Sequence, residues 1–167
     1  MLNGLKEWNK YWDQNNNFKM FDTASIDEKK IIHIHGRTDD VINIRGHRIG
    51  SEEIESALLK INLISECCAI SVKDDLEGHK IIIFYSSKNK KNINSNIISR
   101  KIIDVFGTFA LPEKIIKLNS LPKTRSGKIL RRLLRVLYED PEEYKKQDLS
   151  TMLDKDVIKD IVNKIKT

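Results

Sequence analysis

Two apolar runs, "CCAISV" at 67–72 and "KIIIFYSS" at 80–87, flank the polar stretch "DDLEGH" at 74–79. No other feature constrains the fold as much. Runs rich in β-branched and aromatic residues, bounded by a glycine-containing polar turn, read as two strands that neighbour each other in one sheet. Adjacent Cys67 and Cys68 then point to opposite faces of their strand. No ordinary disulfide or C-x-x-C metal pair is available to them, so they read as core thiols of a reducing compartment.

Further elements build around this pair. "KIIHIHG" at 30–36 predicts a strand closed by Gly36, and "DVINIRGHRI" at 40–49 turns at Gly46. Ser51 is placed to cap a helix, with Glu52 and Glu53 at the positive end of its dipole. Ile54, Ala57, Leu58 and Ile61 recur at helical spacing behind it. A polar link at 88–96 leads to a helix near 95–106, and "EKIIKL" at 113–118 follows Pro112 as a third strand.

Ile129, Leu130, Leu133, Leu134 and Leu137 predict the apolar face of a helix running to about Asp140 and ended by Pro141. Arg131, Arg132 and Arg135 fall on its other side and read as a solvated face. A last amphipathic helix is expected at 154–165. Residues 1–20, with "NNN" at 15–17, read as a loop or a severed end. The fold class is α+β: short sheets flanked by helices, with a C-terminal helical tail.

At 167 residues the chain suits one domain with appendages. Thirty basic against 24 acidic residues give a formal charge of +6, which suits a polyanionic partner. The basic stretch lacks interleaved aromatics, and no nucleic-acid-binding motif is present. No segment approaches the roughly 20 apolar residues that cross a bilayer, and the N-terminus has no apolar run of signal-peptide length. A cytoplasmic protein with neither a nucleic-acid nor a membrane partner is expected. His33 and His35 share a strand face, but a metal site needs more ligands than that.

The stretch "SLPKTRSGKILRR" at 120–132 carries five basic residues and no acidic one. Its Gly127-Lys128 pair does not complete a phosphate-binding P-loop. Pro122 stands where the first glycine should be, and Ile129 replaces the Ser or Thr that would hold magnesium. Lys128 is a compact charge on a flexible stem, able to reach a phosphate or carboxylate, and Gly127 leaves room for close approach. Thr124, Arg125 and Ser126 make the loop hydrophilic and suggest mobility. Composition alone favours a solvated basic loop over an arm that enters an active site.

Two long stretches add to that reading. "GRTDDVINIRGHRIGSEEIESAL" at 36–58 and "LPKTRSGKILRRLLR" at 121–135 resemble the C-terminal domain of acyl-CoA synthetases, in the acetyl-CoA and propionyl-CoA branch of the adenylate-forming superfamily. The resemblance covers roughly residues 19–140. It implies a small domain that swings over a large N-terminal domain holding ATP, Mg2+ and a short-chain carboxylic acid. The acid is first joined to AMP, and the acyl group then passes to coenzyme A.

The resemblance also implies boundaries and roles. Residues 1–38 would be the end of the large-domain connection, 39–140 the swinging domain, and 141–167 a helical extension. Lys128 matches the adenylation lysine, which relatives can acetylate, and Asp39 matches the hinge. Arg37 matches a ribose contact and Arg48 an arginine aimed at the ATP phosphates. Arg45 and Gly46 match the place where coenzyme A passes the backbone. Leu59, Ile61 and Ile64 match backbone ligands of a structural cation.

The pattern is departed from in three places. "FDTASIDE" stands where relatives show Thr-Gly-Asp, with Asp22 nearest to that aspartate. Ile103 occupies the position of a basic residue that pairs with coenzyme A phosphate, with Arg100 and Lys101 nearby. The chain also begins at a methionine partway into the expected polypeptide, so the large domain would be supplied in cis or in trans and the isolated chain would be inactive. The alternative is a non-catalytic module that holds coenzyme A, a nucleotide or a protein partner.

Overall fold

The computed structural model describes residues 9, 11–37, 40–76 and 78–166. The chain divides into two compact units, Met1–Asp40 and Val41–Thr167.

The first unit holds strands β1 (Asp22–Ile26) and β2 (Ile32–Arg37), paired antiparallel. Asp27 organises their turn. Its carboxylate accepts the backbone N–H of Lys29 and of Ile31, each at 2.9 Å, and lies 3.0 Å from His33 Nε2. The hydrogen bond with His33, followed by that from Ile31, holds this carboxyl below its ordinary range. Residues 13–17 form a turn on Asp13, which accepts from the N–H of Asn15 and Asn17 at 2.8 Å. The asparagine run is therefore a loop, as its composition suggests.

The second unit is built on a sheet of β5 (Ile64–Asp74), β6 (Gly78–Ser87) and β7 (Lys114–Lys117). β5 and β6 form the expected hairpin, with Cys67 opposite Tyr85 and Cys68 opposite Phe84. β7 joins β6 in parallel, after a crossover that contains the helix Ser95–Phe106. Alternation then splits the core in two. Cys67, Ala69, Ile81, Ile83 and Tyr85 face one cluster, while Cys68, Ile70, Ile82 and Phe84 face the other.

The first cluster is closed by the hairpin β3 (Val41–Ile44) and β4 (His47–Gly50), by α1 (Ser51–Leu59) and by α2 (Ser95–Phe106). The second is closed by α3 (Arg131–Glu139) and α4 (Val157–Lys166). The C-terminal segment is more than a tail, because Met152, Ile158 and Ile161 are buried in this second cluster.

Two sequence expectations are corrected. The cap of α1 is Gly50, whose N–H donates to Glu53 Oε1 at 3.3 Å. Ser51 is the first helical residue and is buried, and its hydroxyl has no partner among the described residues. Helix α3 begins at Arg131 rather than Ile129. Ile129 fits the helical spacing, but it bridges to Lys123, and the Leu130 N–H donates to Pro122 O at 2.8 Å.

Candidate functional site

Lys128 closes a tight backbone loop. The Thr124 N–H donates to Lys128 O at 2.8 Å, and the Gly127 N–H donates to Thr124 O at 2.9 Å. The Thr124 hydroxyl accepts the Lys128 N–H at 3.1 Å and lies 2.9 Å from Ser126 Oγ. Gly127 sits at φ +86°, a left-handed conformation that glycine adopts without strain. The expectation of a mobile loop therefore gives way to a hydrogen-bonded hairpin. Its base is pinned to the sheet by an ion pair between Lys123 and Glu66 of β5. The Lys128 side chain is exposed, and among the described residues its ammonium forms no ion pair.

The other candidate residues lie on the β3–β4 hairpin. Arg45 and Gly46 form its two-residue turn, with φ of +49° and +84°. Positive φ at both positions is what a type I′ turn requires, and that turn matches the twist of the strands it joins. A Cβ placed on Gly46 would meet nothing within 4 Å, so the backbone here is open to approach. Arg48 is exposed on β4, opposite Asn43. His47 stacks on Phe109 with centroids 4.0 Å apart, tying the hairpin to the segment that follows α2. His79 is used structurally, its Nδ1 lying 3.0 Å from Asn43 O.

The hairpin covers the first core cluster, and the Lys128 loop stands over the second. Arg45, Gly46 and Arg48 are thus gathered on one side of the β5–β6–β7 sheet, with Lys128 on the other. Arg37 belongs to the N-terminal unit, where it pairs with Asp22 across β1–β2. Asp39 lies outside the described residues.

Leu59, Ile61 and Ile64 form the connection from α1 to β5. Ile61 O accepts the Ile64 N–H at 2.9 Å, and no cluster of three or more acidic, His or Cys side chains occurs among the described residues. This turn offers a hard cation neutral backbone oxygens only, and that of Ile61 is already engaged. Arg100 and Lys101, beside Ile103, line an open cleft of about 520 Å3 with Asn94, Asn96 and Asp104.

Sequence reasoning missed Glu55. Its carboxylate accepts the Ala69 N–H at 2.8 Å and is bound through both oxygens by Arg131 Nη2, at 2.9 and 3.0 Å. Arg131 is therefore part of a half-buried pair and not of a solvated face. Burial raises the Glu55 pKa above the ordinary carboxylate value, against the opposing pull of Arg131.

The family model for the AMP-binding enzyme C-terminal domain matches residues 53–128. The acetyl-coenzyme A synthetase of Emericella nidulans is 37% identical over 144 residues, which are 84% of this chain and 21% of that protein. The acetyl-coenzyme A synthetase of Helicobacter pylori is 38% identical over 149 residues, 85% of this chain and 22% of its own length. The chain thus spans about a fifth of the curated relatives it matches. Among solved structures, ATP-bound MatB from Rhodopseudomonas palustris superposes with a TM-score of 0.74 at 23% identity, over 82% of this chain and 27% of that one. The amide bond synthetase McbA from Marinactinospora thermotolerans gives 0.71 at 16% identity, over 80% and 27%. At those identities the likeness concerns the α+β fold.

Proposed function

We propose that the chain, whose residues 53–128 match the family model for the AMP-binding enzyme C-terminal domain, is the swinging domain of an ATP-dependent short-chain acid–CoA ligase. Acetate or propionate is the acid. The relatives named above are acetyl-coenzyme A synthetases, and the match to them is longer than the 53–128 stretch of the family model.

One observation carries the mechanism: the β3–β4 hairpin and the Lys128 loop lie on opposite faces of one sheet. A single rigid body can then offer a different face to each of two steps. In the first, the acid carboxylate attacks the α-phosphate of ATP and pyrophosphate leaves. The Lys128 ammonium, free of an intramolecular ion pair among the described residues, bridges the carboxylate and α-phosphate oxygens and offsets the charge that gathers there. In the second, the thiol sulfur of coenzyme A attacks the acyl carbon and AMP leaves. The open Gly46 backbone and Arg45 guide the coenzyme; Arg48, on the same hairpin, is assigned to the ATP phosphates before pyrophosphate leaves. Mg2+, held by the large domain, would neutralise phosphate charge.

The remaining partner is that large N-terminal domain. Ile26, Ile32 and Ile34 on the β1–β2 ribbon are 64–72% exposed, as expected of a surface that another element covers. Asp39 serves as the hinge in this reading and Arg37 as the ribose contact. A cytoplasmic setting fits the two unpaired cysteines.

The test is complementation. The chain is mixed with a separately expressed large domain of a short-chain acid–CoA ligase, and AMP release is followed with ATP, acetate and coenzyme A. Activity that disappears with Lys128→Ala is the expected result. Its absence with the unsubstituted chain, under conditions where the two proteins associate, would sink the reading.

A further inference from the structure

The Lys128 loop does not hold its shape alone. The Arg125 N–H donates to Thr151 O at 3.0 Å, and the Leu153 N–H donates to Lys123 O at 2.8 Å. Thr124 and Met152 form an antiparallel bridge between those two bonds. Residues 151–153 are thus a short strand laid along 123–125, outside the 53–128 stretch that the family model matches.

This strand is anchored at both ends. Met152 is buried in the second core cluster, and its N–H donates to Leu149 O at 3.2 Å. Beyond it, Ile158 and Ile161 of α4 enter the same cluster. Asp160 on α4 accepts the Asn119 N–H at 3.0 Å, which ties the helix to the chain just before the loop. The Leu153 side chain, by contrast, is 65% exposed. Its contribution is its backbone.

We infer that residues 149–153 are a positioning strap, which sets the conformation of the 123–128 loop and so the place from which Lys128 projects. The inference deepens the proposed role of Lys128 and rests on it. A loop held by few bonds at a protein surface opens locally at low cost, and misplacement by an ångström can cost a reacting group two orders of magnitude in rate. Two inter-strand bonds and one buried anchor restrict that opening. The residues responsible touch no reacting atom.

Two variants of the full chain separate this from general stability. Leu153→Pro removes the N–H that Lys123 O accepts, while Leu153→Ala keeps it. Amide hydrogen exchange is read at Arg125 and Lys128, with Leu134 of α3 as the internal reference. The expected result is exchange at Arg125 and Lys128 faster by about tenfold in the proline variant alone, with Leu134 unchanged. Equal loop exchange in the two variants overturns the strap. Should proline also speed Leu134, the pair Met152→Ala and Met152→Leu decides on the ratio of Arg125 to Leu134 rates. A ratio raised only by alanine supports the strap, and an unchanged ratio overturns it.

With a large domain added, Leu153→Pro should lower kcat for adenylation by about tenfold and leave acyl transfer from preformed acyl-adenylate to coenzyme A intact. A loosened loop with undiminished adenylation overturns the positioning role. Failure of the unsubstituted chain to adenylate strikes the proposed function instead, and the exchange measurement still decides the strap.

Discussion

Arg131 reaches round the free edge of β5 to bind Glu55, a residue 76 positions earlier in the chain, through both carboxylate oxygens. Glu55 belongs to α1 on one face of the sheet and Arg131 to α3 on the other. The pair also satisfies the Ala69 N–H, which the edge strand would otherwise leave unpaired. With side chains only 14% and 20% exposed, loss of one partner strands a buried charge. Glu55→Ala should therefore destabilise the chain by about 3–5 kcal/mol. Glu55→Gln, which keeps an acceptor for Ala69, should cost less. Burial raises the folded pKa of Glu55 above its unfolded value, so the folded chain binds this proton more tightly. The resulting stability is fully present below the ordinary glutamate pKa and is lost as pH rises through the raised value. Denaturant titrations across that acidic window should show the decline in the parent chain and its absence in Glu55→Gln.

The Arg45-Gly46 turn separates strain from function. Gly46→Ala puts a methyl into open space but keeps φ at +84°, so the cost is conformational, about 1–2 kcal/mol. Arg45 already pays such a cost at φ +49°. Asparagine tolerates that region better, and Arg45→Asn should leave thermal stability equal or slightly higher. If coenzyme A passes here as proposed, the same substitution should slow thioester formation while adenylation continues. Single-turnover assays of each half-reaction, set beside the melting curves, check this.

The two cysteines should be inert in the folded chain. Burial first, and then the nearby Glu55 carboxylate, push Cys67 up to about 12, and Cys68 is raised by the same causes. A thiol at such values supplies almost no thiolate at neutral pH, and thiolate is the reactive form. An aromatic disulfide reagent should label neither residue until denaturant is added, and then both. Prompt labelling of the native chain would mean that the β5 edge opens.

What could be read from the sequence was local. The β5–β6 hairpin, α2 and the β3–β4 turn follow from short-range pattern, and the structure places them where the pattern does. The start of α3 was misread because Ile129 and Leu130 fit its periodicity, while their backbones are spent on Lys123 and Pro122. Glu55 has no mark in the sequence beyond being an acid on a helix, since nothing near it announces a partner on α3. The strap left no trace at all, because it acts through main-chain groups that every residue carries. The lysine and arginine candidates became legible only through two long motifs, since a basic loop by itself has too many uses.

Lys128 gives the sharpest separation of the two faces. Its side chain is exposed, and its loop is held by backbone bonds and the Thr124 hydroxyl, so Lys128→Ala should change the melting temperature little. Adenylation in the complemented enzyme should fall by about a hundredfold or more, the scale expected when one donor to a developing charge is removed. Transfer from preformed acyl-adenylate to coenzyme A, which the proposed mechanism assigns to the β3–β4 face, should survive. Lys128→Gln, which keeps length but not charge, should behave like alanine, and enzymatic acetylation of the lysine should do the same. Lys128→Arg keeps the charge but spreads it over a planar head, so an intermediate rate is expected. Equal loss of both half-reactions in Lys128→Ala would show that the two faces do not divide the work.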